Sequence, residues 1–453
     1  MRDADLLALH ERYPDRYPVL LESVSGDAAL GRHDVLFALP GECLRQLPDG
    51  TLGGNAPEAR GEAGFLDALD RWFARESGSL PLAGQAGTGG AVFADGWFLY
   101  LGYELAAEIE PTLRLPPSRL PRAIAWRMHG ALLGDRSTGE VRIVARDPAR
   151  LEVLRGQVRV DLAAVAAATA TPPPATLASA VREQDPQVFL DGVRAILTAI
   201  ARGDVYQANL SRSWRAALAP GATVCDLYRA LRQANPAPFA ALAQLDGFAL
   251  LSSSPERLLQ LQDGIASTRP IAGTRPRGRD AQDDDALKRE LTLNEKERAE
   301  HIMLVDLERN DLGRICRGGT VEVDEFMIIE TYATVHHIVS NVRGVLRQGV
   351  TPGRAIAAVF PGGTITGCPK VRCMQLLAGL EQQPRDAYTG SLGYLDLHGA
   401  MDLNILIRTL TVADGEIGFR TGAGIVADSM PESELAETRA KANGILRALG
   451  ERP

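Results

Sequence analysis

Along the first 160 residues the apolar positions come in short runs, at 18–22, 35–39, 91–101 and 141–145, with turn-forming residues between them. That pattern predicts strands. From residue 186 the period changes. Phe189, Val193, Ile196, Leu197 and Ile200 recur at helical spacing, with Asp185 suited to the N-cap, Pro186 to the first turn and Gly203 to the stop. The next stretch, Val205 to Arg212, reads as a strand in which Gln207, Asn209 and Ser211 share a face with Val205. A polar face beside a large core is either a cavity wall or a half-exposed edge. Two more helical segments, 295–310 and 432–449, carry acidic residues at a spacing of three. The stretch 161–185 is rich in Ala, Thr and Pro, with prolines at 172–174, and reads as a linker between an N-terminal region (1–160) and a second region (186–453). Nearly all the polar constellations fall in the second.

Composition narrows the class of function. The chain has 453 residues, 45% of them hydrophobic, and a formal net charge of −8. That is ample for a buried core and unfavourable for long-range attraction to nucleic acid or an anionic membrane. No apolar stretch is long enough to span a bilayer. Residues 1–10 include Arg2, Asp3 and Asp5 and lack the apolar run of a signal peptide. The cysteines (Cys43, Cys225, Cys316, Cys368, Cys373) are odd in number and widely spaced, which predicts reduced thiols in a cytoplasmic protein and no zinc site.

Several groups of residues suggest chemistry. Glu297 and Glu300 share one helix face, as do Glu434 and Glu437, with Lys441 one turn further on. Two such faces meeting suit a hard divalent cation such as Mg²⁺; separately they are solvated surface. Glu256 follows the apolar stretch 248–251, where a carboxyl suits general acid–base work or a simple turn cap. In 268–278, Gly273 permits close backbone approach, and Arg269, Arg275 and Arg277 add local positive charge, suited to a small anion or an ordinary basic loop. The stretch 360–370 has phosphate-loop glycine spacing but continues Cys-Pro-Lys, so a nucleotide site is excluded and Pro369 starts a helix. Arg408 suits a bidentate grip on a carboxylate, and Gly422 and Gly424 expose backbone donors. His336 and His337 are adjacent on a strand, so at most one enters a given site. No G-x-S-x-G or comparable cysteine setting offers a hydrolytic nucleophile.

These blocks together resemble the chorismate-utilising enzyme family. The resemblance covers about 186–445, through GDVYQANLSR (203–212), SPERLL (254–259), RPIAGTRPRG (269–278), NEKERAEHIMLVDLERNDLGR (294–314), TVHHIVSNVRG (334–344), FPGGTITGCPKVR (360–372), AYTGSLGY (387–394), MDLNILIRTL (401–410), GAGIVADS (422–429) and ESELAETRAKA (432–442). RYPVLLES (16–23) and FLYLGYE (98–104) extend it more weakly. It implies an α+β fold of two large mixed β-sheets packed face to face with helices outside, the site between them. It further implies that Glu300 and Glu437 hold Mg²⁺ directly and Glu297 and Glu434 hold its waters. Arg408 and Tyr388 would grip the enolpyruvyl carboxylate of chorismate beside the Gly422–Ala423–Gly424 backbone, and Lys441 would add charge near the metal-bound end. Glu256 would protonate the departing C4 hydroxyl, with His337 and Thr274 facing the ring.

Within the family, the isochorismate and salicylate synthases are similar in carrying a Lys where this chain has Gln207, which points here to ammonia as the nucleophile. The blocks resemble most the aminodeoxychorismate synthase component I enzymes of 4-aminobenzoate and folate biosynthesis, GRHDVLFALP (31–40) included. Ala272 stands where many of those have a Lys, which favours the alternative, anthranilate synthase component I of tryptophan biosynthesis. Either implies a separate glutamine amidotransferase subunit as ammonia source. The Leu21-Glu22-Ser23 element resembles the family's tryptophan-binding segment, or is simply a strand.

Overall fold

Alternation along the strands sorts the apolar residues onto two faces. In the strand Phe248–Ser254, Phe248 and Leu250 join one apolar cluster while Ala249 and Leu251 join another. The neighbouring strands sort alike: Val19 against Leu20, Val35 and Phe37 against Leu36 and Ala38, Ala241 and Ala243 against Leu242. The first set meets Phe98, Tyr100 and Leu392 of a second sheet. The other set packs under helices, including Leu6–Arg12, Val224–Ala234 and Pro431–Ala448. On the second sheet Trp97, Leu99 and Leu101 point outward, against Trp72 and Phe73 of the helix Phe65–Ser77. The result is helix, sheet, sheet, helix, the α+β arrangement expected. This computed structural model describes residues 4–24, 33–61, 64–78, 93–168, 172–332 and 335–451.

The first sheet runs Gln207–Ala217, Glu416–Ile425, Thr409–Ala413, Phe248–Ser254, Phe239–Leu245, Val19–Glu22, His33–Gln46. The second runs Ala123–Asp135, Gly96–Leu101, Ser391–Asp396, Met401–Asn404, Arg257–Gln262, Ile265–Arg269, Val335–Val345. Ile271–Pro276 and Glu322–Thr331 flank the last of these. The long strands His33–Gln46 and Ala123–Asp135 pair with each other and pass from one sheet into the other, with a register shift between Pro40 and Cys43. Every pairing among the described residues is antiparallel, where mixed sheets were expected. Hairpin connections such as 245–248 account for this, since parallel neighbours need long crossovers.

Strands from before residue 161 form one contiguous run, paired at both ends with strands from after residue 185. Val19–Glu22 lies between His33–Gln46 and Phe239–Leu245, and Gly96–Leu101 lies between Ala123–Asp135 and Ser391–Asp396. The start of the expected linker is not a linker. Residues 161–167 complete the helix Pro148–Ala167, as their high alanine content favours, and its buried Asp161 accepts the Tyr17 hydroxyl at 2.8 Å. Residues 169–171 lie outside the described residues, as do 1–3, 31–32, 91–92 and 334 of the stretches singled out above. Arg182–Glu183 then pairs with the edge of Gln207–Ala217.

One buried carboxyl ties these parts together. Glu104, 3% exposed, accepts the Arg385 backbone N–H at 2.8 Å. Burial, reinforced by nearby Asp386, raises its pKa to about 8. The folded protein therefore holds a proton that the unfolded chain releases in the ordinary carboxylate range. The associated stability is present at low pH and lost as pH rises toward 8. Glu104→Gln should shrink the drop in melting temperature between about pH 6 and pH 9 by roughly a few degrees; an unchanged pH dependence by calorimetry would refute this.

Candidate active site

Two chain crossings between the sheets lie side by side. The strand Phe248–Ser254 belongs to the first sheet and Arg257–Gln262 to the second, so Glu256 sits on the step between them. Met401–Asn404 belongs to the second and Thr409–Ala413 to the first, so Arg408 sits on the return step. Backbone bonds lace the steps together: Ser253 N–H to Arg408 C=O at 3.2 Å and Ile405 N–H to Glu256 C=O at 3.0 Å. Arg408 has φ +52, a left-handed conformation that side chains rarely adopt and that tends to mark functional positions.

The chemistry of this corner is set by burial. Glu256 is 5% exposed and its pKa is raised to about 7, chiefly by desolvation. Thr364, the Ile271 backbone, Arg408 and Lys441 oppose the rise. His337 lies beside the same cations; burial, then Arg408, lowers its pKa to about 3, so its ring is neutral. Its Nδ1 lies 2.9 Å from Thr274 Oγ1 and 3.3 Å from Gly273 C=O. The carbonyl can only accept, so the proton that serves it sits on Nδ1 and Nε2 faces the cavity as an acceptor. Gly273 has φ +65 and forms a bulge between Ala272, opposite Ile338, and Thr274, opposite His337. The bulge aims Thr274 at the histidine. His336 points the other way, to Thr331 and Asp284 at 2.9 Å each, so one histidine of the pair enters the site.

The opposite wall is the pairing of Gln207–Ala217 with Glu416–Ile425. A Cβ on Gly422 would stand 2.5 Å from Asn209 Oδ1 and 2.7 Å from the Tyr388 hydroxyl, and one on Gly424 would stand 2.7 Å from Gln207 Nε2. These glycines leave room only for a neighbour's polar group. Ala423, between them, points into the apolar cluster with Leu210 and Ile425. Lys441 Nζ donates to Gly422 C=O at 3.0 Å and pairs with Glu437 at 2.7 Å. Further along the wall, Arg385 pairs with Glu381 and donates to Asn209 C=O at 2.7 Å, while Glu381 accepts the Ser211 amide at 2.9 Å. Ser211 is thus scaffolding, whereas Gln207 and Asn209 line the cavity. A further cavity of about 160 Å³ adjoins the site through Tyr388 and Thr409.

Gln207 Oε1, Asn209 Oδ1, Glu256 Oε1, His337 Nε2 and Thr364 Oγ1 are all buried without a hydrogen-bond partner. Buried polar groups are normally satisfied, so such a group of orphans marks a site for a polar ligand. Arg408 has no ion pair among the described residues. By contrast Arg269, Arg275 and Arg277 are bound to Glu330, Glu290 with Glu297, and Asp284. The expected anion-binding loop at 268–278 is therefore neutralised by its own carboxylates. Asn209 and Thr364 were not singled out as site residues. Only the polar alternation after Val205 signalled the first, and nothing in the local pattern distinguished the second.

The four helical glutamates border the site but are not gathered into a metal centre. Glu297 packs against Gly273 and binds Arg275 at 3.0 Å, and Glu437 is held by Lys441. Glu300 is half-buried and Glu434 buried. Among the described residues no three His, Cys, Asp or Glu side chains are arranged to hold a metal ion. In this arrangement the residues do not fit the expected Mg²⁺. Glu22 lies on its own strand, its carboxylate accepting the Tyr228 hydroxyl at 2.7 Å and Arg232 at 3.1 Å. Leu21 pairs with Ala241 and Val35, and the Ser23 amide donates to Asp34.

Sequence comparison agrees with this geometry. A family model described as chorismate binding enzyme matches residues 59–447. The chain belongs to the chorismate-binding enzyme family. A Synechocystis protein named anthranilate synthase component I-like protein is 40% identical over 362 residues, 79% of this chain and 73% of that protein. Aminodeoxychorismate synthase component 1 of Bacillus subtilis is 48% identical over 263 residues, 58% of this chain and 55% of its own, so the match spans about half of that relative. The crystal structure of anthranilate synthase component I from Streptococcus pneumoniae superposes with a TM-score of 0.80 at 28% identity, covering 92% of this chain and 93% of that one. No helix among the described residues is long and apolar enough to cross a membrane.

For a chorismate-binding enzyme built this way, Gly422 is a steric requirement. Gly422→Ala should leave the circular dichroism spectrum unchanged and weaken chorismate binding by on the order of tenfold or more, because the methyl displaces Asn209 or Tyr388. Unaltered affinity in a titration would remove Gly422 from the site.

Proposed function

We propose that this chain aminates chorismate, as a component of the aminodeoxychorismate synthase type. The observation that carries the proposal is the unpaired Arg408 guanidinium beside a buried Glu256 whose pKa is raised to about 7. A desolvated cation without a counter-ion is costly, and a carboxylate-bearing substrate supplies the counter-ion. Chorismate carries two carboxylates and, at C4, a hydroxyl that must leave as water. Arg408 offers a fork for a carboxylate, with the Tyr388 hydroxyl beside the Gly422 backbone. Glu256 gives its proton to the C4 oxygen as the C–O bond breaks. Ammonia adds to the allylic system, and the proton it then sheds restores Glu256. His337, neutral, orients the ring without adding charge. Gln207, a neutral amide facing the cavity, cannot deprotonate water, which favours ammonia over water as nucleophile.

The choice of ring carbon rests on Ala272. Its methyl, 9% exposed, cannot act as a nucleophile toward the ring. That favours a second reading, addition of ammonia at C2 as in an anthranilate synthase. Ammonia supply by a glutamine amidotransferase subunit, as a separate chain, belongs to either reading. So does tryptophan binding at Leu21–Ser23, which a calorimetric titration without heat would remove. Mg²⁺ held by Glu297, Glu300, Glu434 and Glu437 requires that Arg275 and Lys441 first release their partners. A titration of the protein with MgCl₂ and chorismate that gives no metal-dependent heat would sink that assignment.

Incubated with chorismate, ammonium and Mg²⁺, the chain should form an aminated product and should be inactive with glutamine alone. A non-aromatic amine that a lyase converts to 4-aminobenzoate supports the first reading, and fluorescent anthranilate the second. Isochorismate, or no consumption of chorismate, would refute amination. Glu256→Gln should lower the rate on the order of 10²–10⁴-fold. At a fixed concentration of free ammonia, turnover of the native protein should fall as pH rises through about 7, because the acid form of Glu256 is lost. A rate that holds steady into alkaline pH excludes Glu256 as the acid.

A further inference from the structure

Arg385 is 3% exposed, and each hydrogen of its guanidinium has an acceptor. Nε donates to Glu381 Oε2 at 2.9 Å and Nη2 to Glu381 Oε1 at 2.7 Å. Nη2 also donates to Asn209 C=O at 2.7 Å, and Nη1 to Ile365 C=O at 3.2 Å and Thr389 Oγ1 at 3.3 Å. Thr389 Oγ1 is free to accept because its own hydrogen goes to Tyr388 C=O at 2.6 Å. A guanidinium has no further N–H to give. Unlike Arg408, then, Arg385 has no donor left for a ligand.

Its acceptors belong to the segments that line the cavity. Asn209 keeps a buried Oδ1 without a partner, and so does Thr364, the residue before Ile365, at Oγ1. Thr389 passes its amide to Leu406 C=O at 2.8 Å, in the crossing that carries Arg408. The Tyr388 amide donates to Arg385 C=O at 2.9 Å, and the Tyr388 ring centroid lies 5.6 Å from the guanidinium. Glu381 ends the helix Lys370–Glu381 and also holds the Ser211 amide and, at 3.1 Å, Arg420. We propose that Arg385 is a positioning residue of this site: its planar fork sets Asn209, the turn through Thr364, and Tyr388 at the separations a bound ligand needs. A lysine has three donors on one atom and cannot reach five acceptors spread around a plane. A buried carbonyl that loses its donor must turn to find another, and would carry Asn209 or Thr364 with it. The sequence hides this role. Only Glu381 lies near Arg385 along the chain, and the Asn209 carbonyl is 176 residues away.

The inference rests on this cavity being the chorismate site, and its test separates the two. Arg385→Lys keeps the charge beside Glu381 and gives up the fork. Measured well below its melting temperature, it should bind chorismate about tenfold or more weakly, the scale of one or two lost hydrogen bonds. KM should rise by more than kcat falls, since Glu256 and Arg408 are untouched. Asp70→Asn is the control. Asp70 clamps Thr351 and the Gly353 amide on the outer helices, so its loss should lower the melting temperature and leave KM and kcat unchanged. The side-chain amide signal of Asn209 in ¹H–¹⁵N spectra, assigned by its loss in Asn209→Asp, should move in Arg385→Lys and stay in Asp70→Asn, with no ligand present. Should Arg385→Lys fail to fold, Thr389→Val removes a single acceptor; it should move the same signal and weaken binding about twofold or more. A folded Arg385→Lys, or failing that Thr389→Val, with unchanged affinity and an unmoved Asn209 signal overturns the proposal. A moved signal in a protein whose wild type does not bind chorismate upholds the positioning and refutes the function.

Discussion

The site depends on one constraint: two chain crossings from sheet to sheet are laced together by backbone hydrogen bonds, Ile405 to Glu256 and Ser253 to Arg408. Neither crossing is regular structure, and each would be a mobile loop alone. Paired, and continued on both sides by hydrogen-bonded strands, they become part of the sheets. That pairing holds an arginine in a left-handed conformation and keeps an acid out of water. The faces of both sheets are covered by helices or by each other. Around the corner where the crossings part, Gln207, Asn209, Glu256, His337 and Thr364 each keep a buried polar atom without a partner.

Electrostatics separates this corner from the rest of an acidic protein. The arginines of 269–277 are each absorbed by a carboxylate: Arg269 binds the strand Glu322–Thr331, and Arg275 and Arg277 hold the helices Ala281–Leu293 and Glu295–Gly313 to the sheet. Arg408 has no such carboxylate. Burial then acts in opposite directions on its neighbours, raising the Glu256 carboxyl to about 7 and keeping the imidazole of His337 uncharged. A cation, a proton donor and a neutral acceptor in one dry volume are the parts an acid-assisted displacement on a dianion requires. The glycines opposite supply closeness, since any side chain at 422 would occupy the space of Asn209 or Tyr388.

Much of this was legible in the chain. Periodicity located the helices from 186, 295 and 432, because amphipathic spacing and Asp and Pro caps are local properties. Adjacency on a strand was enough to divide His336 from His337. Other readings failed for physical reasons. Alanine-rich 161–167 resembled a linker, yet it has strong helix propensity and an aspartate with partners far away in sequence. The basic loop resembled an anion site because its carboxylate partners lie up to 61 residues away. The strand Ala123–Asp135, which joins the two sheets, stood out less than the shorter runs around it.

The sequence by itself determined which segments are helix or strand, which residue types were available for chemistry, and the family, since these follow from local spacing and from motif order. Tertiary structure alone decided which of those residues are charged and which are free. Whether Arg408 is unpaired, whether Glu256 keeps its proton, and whether Glu297 and Glu437 are taken up by Arg275 and Lys441 are matters of distance and desolvation. Both depend on how remote strands and helices pack, and no window of sequence contains that information.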